Sequence, residues 1–350
     1  MTQPAHQHPP GVAPPVLEVD NLQVSFSSGE GPVHAVRFAS FAVQPGEIVG
    51  VVGESGSGKS TLLKGLMGIL PPTAGVRSDG VRLGGRDLSA LSKEDLRHTR
   101  GGEMAMVFQD PVNTFNPSWT IGSQFRRVLR LHRPDLRPKD HDEEILSLLD
   151  VVGIDGRGKL DSYPFQFSQG QIQRIMIAVA CASRDLKLLL ADEPTTSLDV
   201  TIEAQVLQLL HRLREERELS LMLVTHDLSI VAQVCDRVLV MYGGRIIEDA
   251  DVVTLFESPA HPYTQQLLRS IPSFPHDGDR LYTMRGSVPD LRGLDAGCPF
   301  APRCDRHLGA VCDERIPFLR PTGVGSQLAG CHLYPTEAEE AGGGTDVRHA

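Results

Sequence analysis

Residues Gly53–Thr61, GESGSGKST, fit the pattern G-x-x-x-x-G-K-[ST], which is chemistry for holding phosphate. Gly53, Gly56 and Gly58 let successive backbone N–H groups turn inward, where the start of the following helix adds positive potential. Ser55, Ser57 and Thr61 complete the lining. Lys59 supplies charge to the terminal phosphates, and the Ser60 hydroxyl is a ligand for Mg²⁺. A chance glycine-rich turn would lack the full pattern set between a strand and a helix. A second acidic element, LLLADEP, ends an apolar run with Asp192, whose carboxylate is expected beside the Mg²⁺ at Ser60. Glu193, the next residue, is placed to polarise an attacking water as a general base. Gln109 closes MAMVFQ and His226 closes LMLVTH. Alone, each reads as a surface residue at a strand end. Parallel α/β sheets, however, gather ligands at the carboxyl ends of their strands, which assigns His226 to the γ-phosphate and Gln109 to Mg²⁺ or the water.

These groups need an α/β scaffold to bring them together. From Val16 to about Ile271, short apolar runs alternate with helical periodicity. VLEVDNLQVSF and EIVGVVG read as strands, and STLLKGLMGIL reads as a helix stopped by Pro71-Pro72. The region from roughly Phe115 to Tyr163 reads as mostly helical, broken by Pro117, Pro134 and Pro138. A helix is expected from near Ser168 and another over Val200 to Arg217. VLVMYGGRIIEDA reads as a hairpin turned at Gly243-Gly244. Beyond Ile271 the periodicity fades into a Pro-, Gly- and Cys-containing tail. The expected division is a disordered tail over 1–15, a nucleotide-hydrolysing domain over 16–271 with a helical subdomain over about 115–183, an extension over 272–335, and a second disordered tail over 336–350.

The 350 residues are 40% hydrophobic and 22% charged, a soluble globular composition, with a net charge of −10. Lys and Arg are spread rather than massed, which argues against nucleic acid as a partner. No apolar run reaches the roughly 18–20 residues that span a bilayer, and MTQPAHQHPPGVAPP is no secretory signal. The default location is therefore cytosolic.

Taken in order, GESGSGKST, VFQDP, FSQGQ, LLLADEP, SLDV and THD resemble the Walker A, Q-loop, signature, Walker B, D-loop and switch-histidine motifs of ABC transporter ATP-binding subunits. The resemblance covers roughly the first 270 residues. It implies a P-loop ABC ATPase core: a mixed sheet with helices, an antiparallel β part and a helical signature subdomain. It also implies ATP and Mg²⁺ as ligands, Phe26 as the aromatic that stacks on adenine, and Ser197 and Asp199 as D-loop residues. FQDPVNTFNPSWTIGSQ, ADEPTTSLDVTIEAQVL and ESPAHPYTQQLLRSIP are similar to the dipeptide and oligopeptide importer branch.

That branch implies a second ATPase subunit, two membrane permease subunits docked through the helical region, and an extracytoplasmic solute-binding protein that delivers the solute. The subunit would sit peripherally on the cytoplasmic face of the inner membrane. In the resembled family a signature serves the partner's ATP. Here Ser168, Gly170 and Gln171 match the usual Leu-Ser-Gly-Gly-Gln, whereas Phe167 and Gln169 depart from it. Glutamine at the first glycine position is tolerable at negative φ and costly at positive φ. The departure suggests a heterodimer with two unequal ATP sites. A soluble ABC ATPase acting on ribosomes or nucleic acid is the alternative reading. One P-loop and the lack of sustained heptads or a basic run weigh against it. A non-catalytic subunit is the third, opposed by Glu193 and His226.

Cys181 and Cys235 lie in apolar stretches and read as core residues. Cys298, Cys304, Cys312 and Cys331 have spacings C-x5-C-x7-C-x18-C, looser than the C-x2-C pairs of structural zinc. Cytosolic thiols stay reduced, so ligation of metal is the leading expectation. The resemblance favours a [4Fe–4S] cluster, which some members of the branch carry. Zinc, drawing in His307 or His332, and a metal-free tail are the alternatives.

Overall fold

The computed structural model describes residues 13–196, 198–271, 284–294 and 296–334. Most of the expected N-terminal tail, Ser197, the start of the extension and the expected C-terminal tail lie outside the described residues.

In chain order the strands are β1 (Leu17–Phe26), β2 (Val33–Val43), β3 (Ile48–Val52), β4 (Ala74–Arg77), β5 (Gly80–Leu83), β6 (Arg86–Asp87), β7 (Met104–Val107), β8 (Leu188–Asp192), β9 (Ser220–Val224), β10 (Arg237–Tyr242), β11 (Arg245–Asp251), β12 (Arg320–Pro321) and β13 (Leu328–Ala329). They form two sheets. One is antiparallel, ordered β2-β1-β5-β6 with β4 also on β1. The other has eight strands ordered β12-β13-β11-β10-β3-β9-β8-β7. Its centre, from β10 to β7, is parallel.

The central strands read as continuous apolar runs because both of their faces are buried. Val49, Val51, Leu188, Leu190, Met222 and Val224 pack into one core with Leu17, Val19 and Phe41 of the antiparallel sheet and with Leu62, Leu63 and Leu66 of helix Lys59–Met67. The alternate residues Ile48, Val52, Leu189, Ala191, Leu221 and Leu223 point into a second core. That core is completed by Ile172, Ile175 and Met176 of helix Gln169–Ala180 and by Leu209 and Leu213 of helix Val200–Arg217.

The helical region holds helices Ile121–His132 and His141–Val151, whose Phe125, Leu129, Ile145 and Leu149 join the same core. Helix Val200–Arg217 has the bounds expected from its sequence. The helix after the phosphate turn is shorter than expected. It ends at Gly68, which takes the left-handed conformation (φ 61°) and donates its N–H to Gly65 O and Lys64 O, so the chain turns before the two prolines are reached.

The extension is built onto the main sheet. β13 pairs antiparallel with β11, and the buried Gln327 amide donates to Glu248 Oε1 at 2.9 Å and to Ser258 O at 2.9 Å. Phe300 is fully buried against Tyr242 and Tyr263, with ring centroids 5.2 and 5.4 Å apart. The β13 pairing covers the edge of β11 at Glu248 and Asp249.

Candidate nucleotide site

β3 runs straight into Gly53–Gly58, and helix Lys59–Met67 begins at the next residue. Gly58 stands at φ 104°, and a Cβ there would lie 2.1 Å from Ala35 O, so the turn closes against β2 only because the side chain is absent. The buried Lys59 ammonium curls back over the turn, donating to Gly53 O at 2.8 Å, to Glu54 O at 2.9 Å and to Ser57 Oγ at 3.4 Å. Burial pulls its pKa down, and the carboxylates of Glu193, Asp192 and Glu54 oppose the shift.

Three further parallel strands deliver their ends to the same edge. β8 brings Asp192, whose Oδ1 accepts the Ser60 hydroxyl at 2.8 Å. Burial raises the Asp192 pKa, against the bond from Ser60 and the charge of Lys64. Glu193 leaves the strand at φ 47°, a left-handed conformation that non-glycine residues seldom adopt, and its N–H is tied to Val224 O at 3.0 Å. The turn aims its carboxylate across the site. Glu193 Oε2 accepts Thr196 Oγ1 at 2.8 Å and Gln109 Nε2, from the end of β7, at 3.1 Å. His226 Nδ1, from the end of β9, is 3.5 Å from the same oxygen. A cavity of about 410 Å³ lies over these groups, with Phe26, Ser55, Lys59, Ser60, Gln109 and Glu193 among its walls.

Ser168, Gln169, Gly170 and Gln171 stand apart from this cavity and form the start of helix Gln169–Ala180. Ser168 caps it by accepting the Gln171 N–H at 3.3 Å, and the Gln171 side chain returns a bond from the Ser168 N–H at 3.0 Å. Gln169 is the first helical residue, is exposed, and is absent from the positive-φ residues, so glutamine costs the backbone nothing here. Asp199 caps helix Val200–Arg217, accepting the Ile202 N–H at 3.0 Å.

Three residues beside the site were given no chemical role by the sequence. Tyr263 Oη accepts the Glu54 N–H at 2.9 Å, Arg303 pairs with the Glu54 carboxylate, and Thr196 holds Glu193. Thr196 alone could have been sought, since a hydroxyl three residues past the expected base Glu193 can reach back to it.

Cys181 and Cys235 are buried and free, as expected. The four cysteines of the extension are also free. Burial pushes Cys298 up to about 12 and Cys331 to about 11, and neighbouring cysteines add to both shifts. The expected metal site is not preformed: among the described residues no three His, Cys, Asp or Glu side chains are arranged to hold a metal ion. His307 and His332, the alternative zinc ligands, are engaged elsewhere: His307 Nε2 with Asp313 at 2.8 Å and His332 Nε2 with Arg315 O at 2.8 Å.

The sequence matches the ABC transporter family profile over residues 36–196 and that of the oligopeptide/dipeptide transporter C-terminal region over 247–312. It is 41% identical over 323 residues to the dipeptide transport ATP-binding protein DppD of Escherichia coli (strain K12), covering 92% of this chain and 97% of that one. With DppD of Bacillus subtilis (strain 168) it shares 43% identity over 328 residues, covering 93% and 97%. The dimeric ATP-binding cassette MJ0796, solved in a post-hydrolysis state with ADP and Pi, superposes with a TM-score of 0.60 at 26% identity, covering 67% of this chain and 98% of that one. Among the described residues no helix is long and apolar enough to cross a membrane. The chain belongs to the ABC transporter ATP-binding subunits of the oligopeptide/dipeptide branch: it is an ATP-hydrolysing subunit that powers solute import, peripheral at the cytoplasmic face of the inner membrane.

Proposed function

We propose that the site around Lys59 and Glu193 binds MgATP and hydrolyses it to drive uptake of dipeptides or short peptides. The observation that carries the reading is the meeting of Gln109, Thr196 and His226 on one oxygen of Glu193, at the cavity that also holds Lys59 and Ser60. Ser60 and Asp192 offer hard oxygen ligands 2.8 Å apart, a donor set suited to Mg²⁺, with Gln109 nearby. Bound Mg²⁺ would neutralise charge on the β- and γ-phosphates. Glu193 then takes a proton from the attacking water, His226 meets the γ-phosphate, and the backbone N–H groups of the turn hold the phosphate oxygens. Phe26 stacks on the adenine. The peptide cargo follows the dipeptide transport for which the two DppD relatives are named. Uptake of labelled dipeptide in a strain lacking the gene, restored by the wild-type gene and not by Glu193→Gln, tests the whole reading.

The partners are two permeases, a solute-binding protein and a second ATPase subunit. An apolar groove of about 460 Å³ lined by Phe108, Phe115, Trp119 and Met176 supports docking of a permease segment on the helical region. The second ATPase is a different chain, whose ATP meets Ser168, Gly170 and Gln171 here, while Ser197 and Asp199 lie in the connecting D-loop.

The four extension cysteines hold a [4Fe–4S] cluster on this reading. Sulfurs around such a cluster lie further apart than those around one ion, so four thiols without a preformed single-ion site among the described residues still suit it. The Cys298 N–H donates to Cys312 O at 2.7 Å, and, after burial, Cys331, Cys312 and Cys304 all help to raise the Cys298 pKa, which supports a common cage. Iron and sulfide analysis of protein purified without oxygen, with Cys298→Ser as the comparison, decides it. Absence of both from the wild type would end the proposal.

A further inference from the structure

The cavity over Lys59 has one wall that the ABC motifs do not supply. Leu291, from the C-terminal extension, lines it together with Phe26 of β1 and Val33 and Ala35 of β2. The placement is held from both sides. The His34 N–H donates to Leu291 O at 3.2 Å, and the Arg37 guanidinium bonds Leu294 O. Arg292 pairs with Glu30 on the loop between β1 and β2 and with Asp290 in its own segment. The segment around Leu291 is thus strapped along the start of β2, with the leucine half-buried at the mouth of the cavity.

The chemistry of the cavity is divided by origin. Its phosphate-binding groups come from the turn at Gly53–Gly58, the following helix and the strand ends. Its apolar members, Phe26, Val33, Ala35 and Leu291, come from the antiparallel sheet and the extension. Aliphatic carbon beside an aromatic ring offers nothing to a triphosphate, but it removes water from the face of a nucleobase or the edge of a ribose. Resting on the nucleotide reading above, we propose that Leu291 contacts the nucleoside half of ATP. The C-terminal extension therefore completes the ATP site of its own chain and sets its affinity.

The test is Leu291→Ala, with Leu291→Met as the conservative variant and Arg292→Ala to loosen the strap while keeping the leucine. KM and kcat for ATP are measured in the assembled transporter, and ATP binding at equilibrium on the full chain. A contact kept equally in ground and transition states raises KM and leaves kcat alone. Leu291→Ala is expected to raise KM and the ATP dissociation constant roughly three- to tenfold, Leu291→Met to restore both, and Arg292→Ala to shift both in the same direction. An unchanged KM overturns the proposal, and so does a fall in kcat matching the change in kcat/KM, which would mark disturbance of the phosphate turn. Lys59→Ala separates this from failure of the underlying reading. If that variant bound ATP as the wild type does, the nucleotide site itself would be misplaced whatever Leu291 did.

Discussion

Arg303 and Glu54 form a forked ion pair, with Nη1 2.6 Å from Oε2 and Nη2 3.1 Å from Oε1. The pair joins the cysteine-bearing extension to the glycine-rich turn Gly53–Gly58. Its cation is almost wholly enclosed, with 5% of the side chain exposed, and its carboxylate is 24% exposed. Arg303 also donates to Tyr242 Oη at 3.0 Å and lies over the Tyr242 and Phe300 rings. The bond to Glu54 is the main reason its guanidinium pKa is raised.

Arg303→Ala leaves Glu54 without its forked partner and opens a gap beside two aromatic rings. A loss of about 1–3 kcal/mol of stability is expected, together with a higher KM for ATP as the turn loses its brace. Arg303→Lys keeps a charge but neither the fork nor the flat stacking surface, so it should recover only part of both. Thermal melts and ATP kinetics on the three proteins check this. A KM unchanged in Arg303→Ala would mean the brace is structural only.

Glu193→Gln removes the proposed proton acceptor while keeping shape and hydrogen-bonding capacity. Hydrolysis should fall by about 10²–10⁴-fold, the usual contribution of a positioned base, with ATP binding retained. Single-turnover measurements on the assembled transporter distinguish this from a binding defect. Wild-type hydrolysis in the variant would remove Glu193 from the chemistry.

The sequence was most informative where chemistry demands a pattern over a short span. GESGSGKST lies within one turn, and Asp192, Gln109 and His226 each follow an apolar run whose direction in a parallel sheet fixes where it ends. Helix Val200–Arg217 was legible because a capping Asp199 and apolar periodicity agree. The attachment of the extension was not legible. Arg303 meets Glu54 across 249 positions, and Leu291 meets β2 through a backbone bond from His34, which leaves no trace in side-chain pattern. The left-handed turn at Glu193 was equally hidden, since glutamate gives no sign of positive φ.

Gln169 keeps a negative φ, so any effect on the partner's ATP must come from its exposed side chain at the helix start. Gln169→Gly should therefore raise ATPase turnover of the assembled transporter, by up to about twofold if one of two sites is impaired. It should cost less than the roughly 0.5–1 kcal/mol of a mid-helix glycine, because Gln169 is the first helical residue. Turnover and melting temperature are the readouts. No gain in turnover would show the glutamine to be neutral and remove the ground for two unequal sites.

Acid should loosen the junction between sheet and extension through His261. The ring is fully enclosed, packs 5.9 Å from Phe300, and accepts the Tyr263 N–H at Nδ1, 3.0 Å away, while Nε2 has no partner among the described residues. Burial holds its pKa down from 6.5 to about 3. Between those values the unfolded chain binds a proton that the folded chain refuses. The stability this ring contributes is therefore complete above pH 6.5 and falls as the pH drops toward 3, at roughly 1.4 kcal/mol per unit. Glu248, which accepts the His261 N–H at 2.8 Å, has its pKa raised by burial and acts in the opposite sense, since its folded form takes up a proton first. His261→Asn isolates the histidine: asparagine retains an acceptor for the cap but does not titrate. Melting temperatures from pH 7.5 to pH 5 should fall more steeply for the wild type than for the variant, and parallel curves would mean that His261 does not govern the acid response.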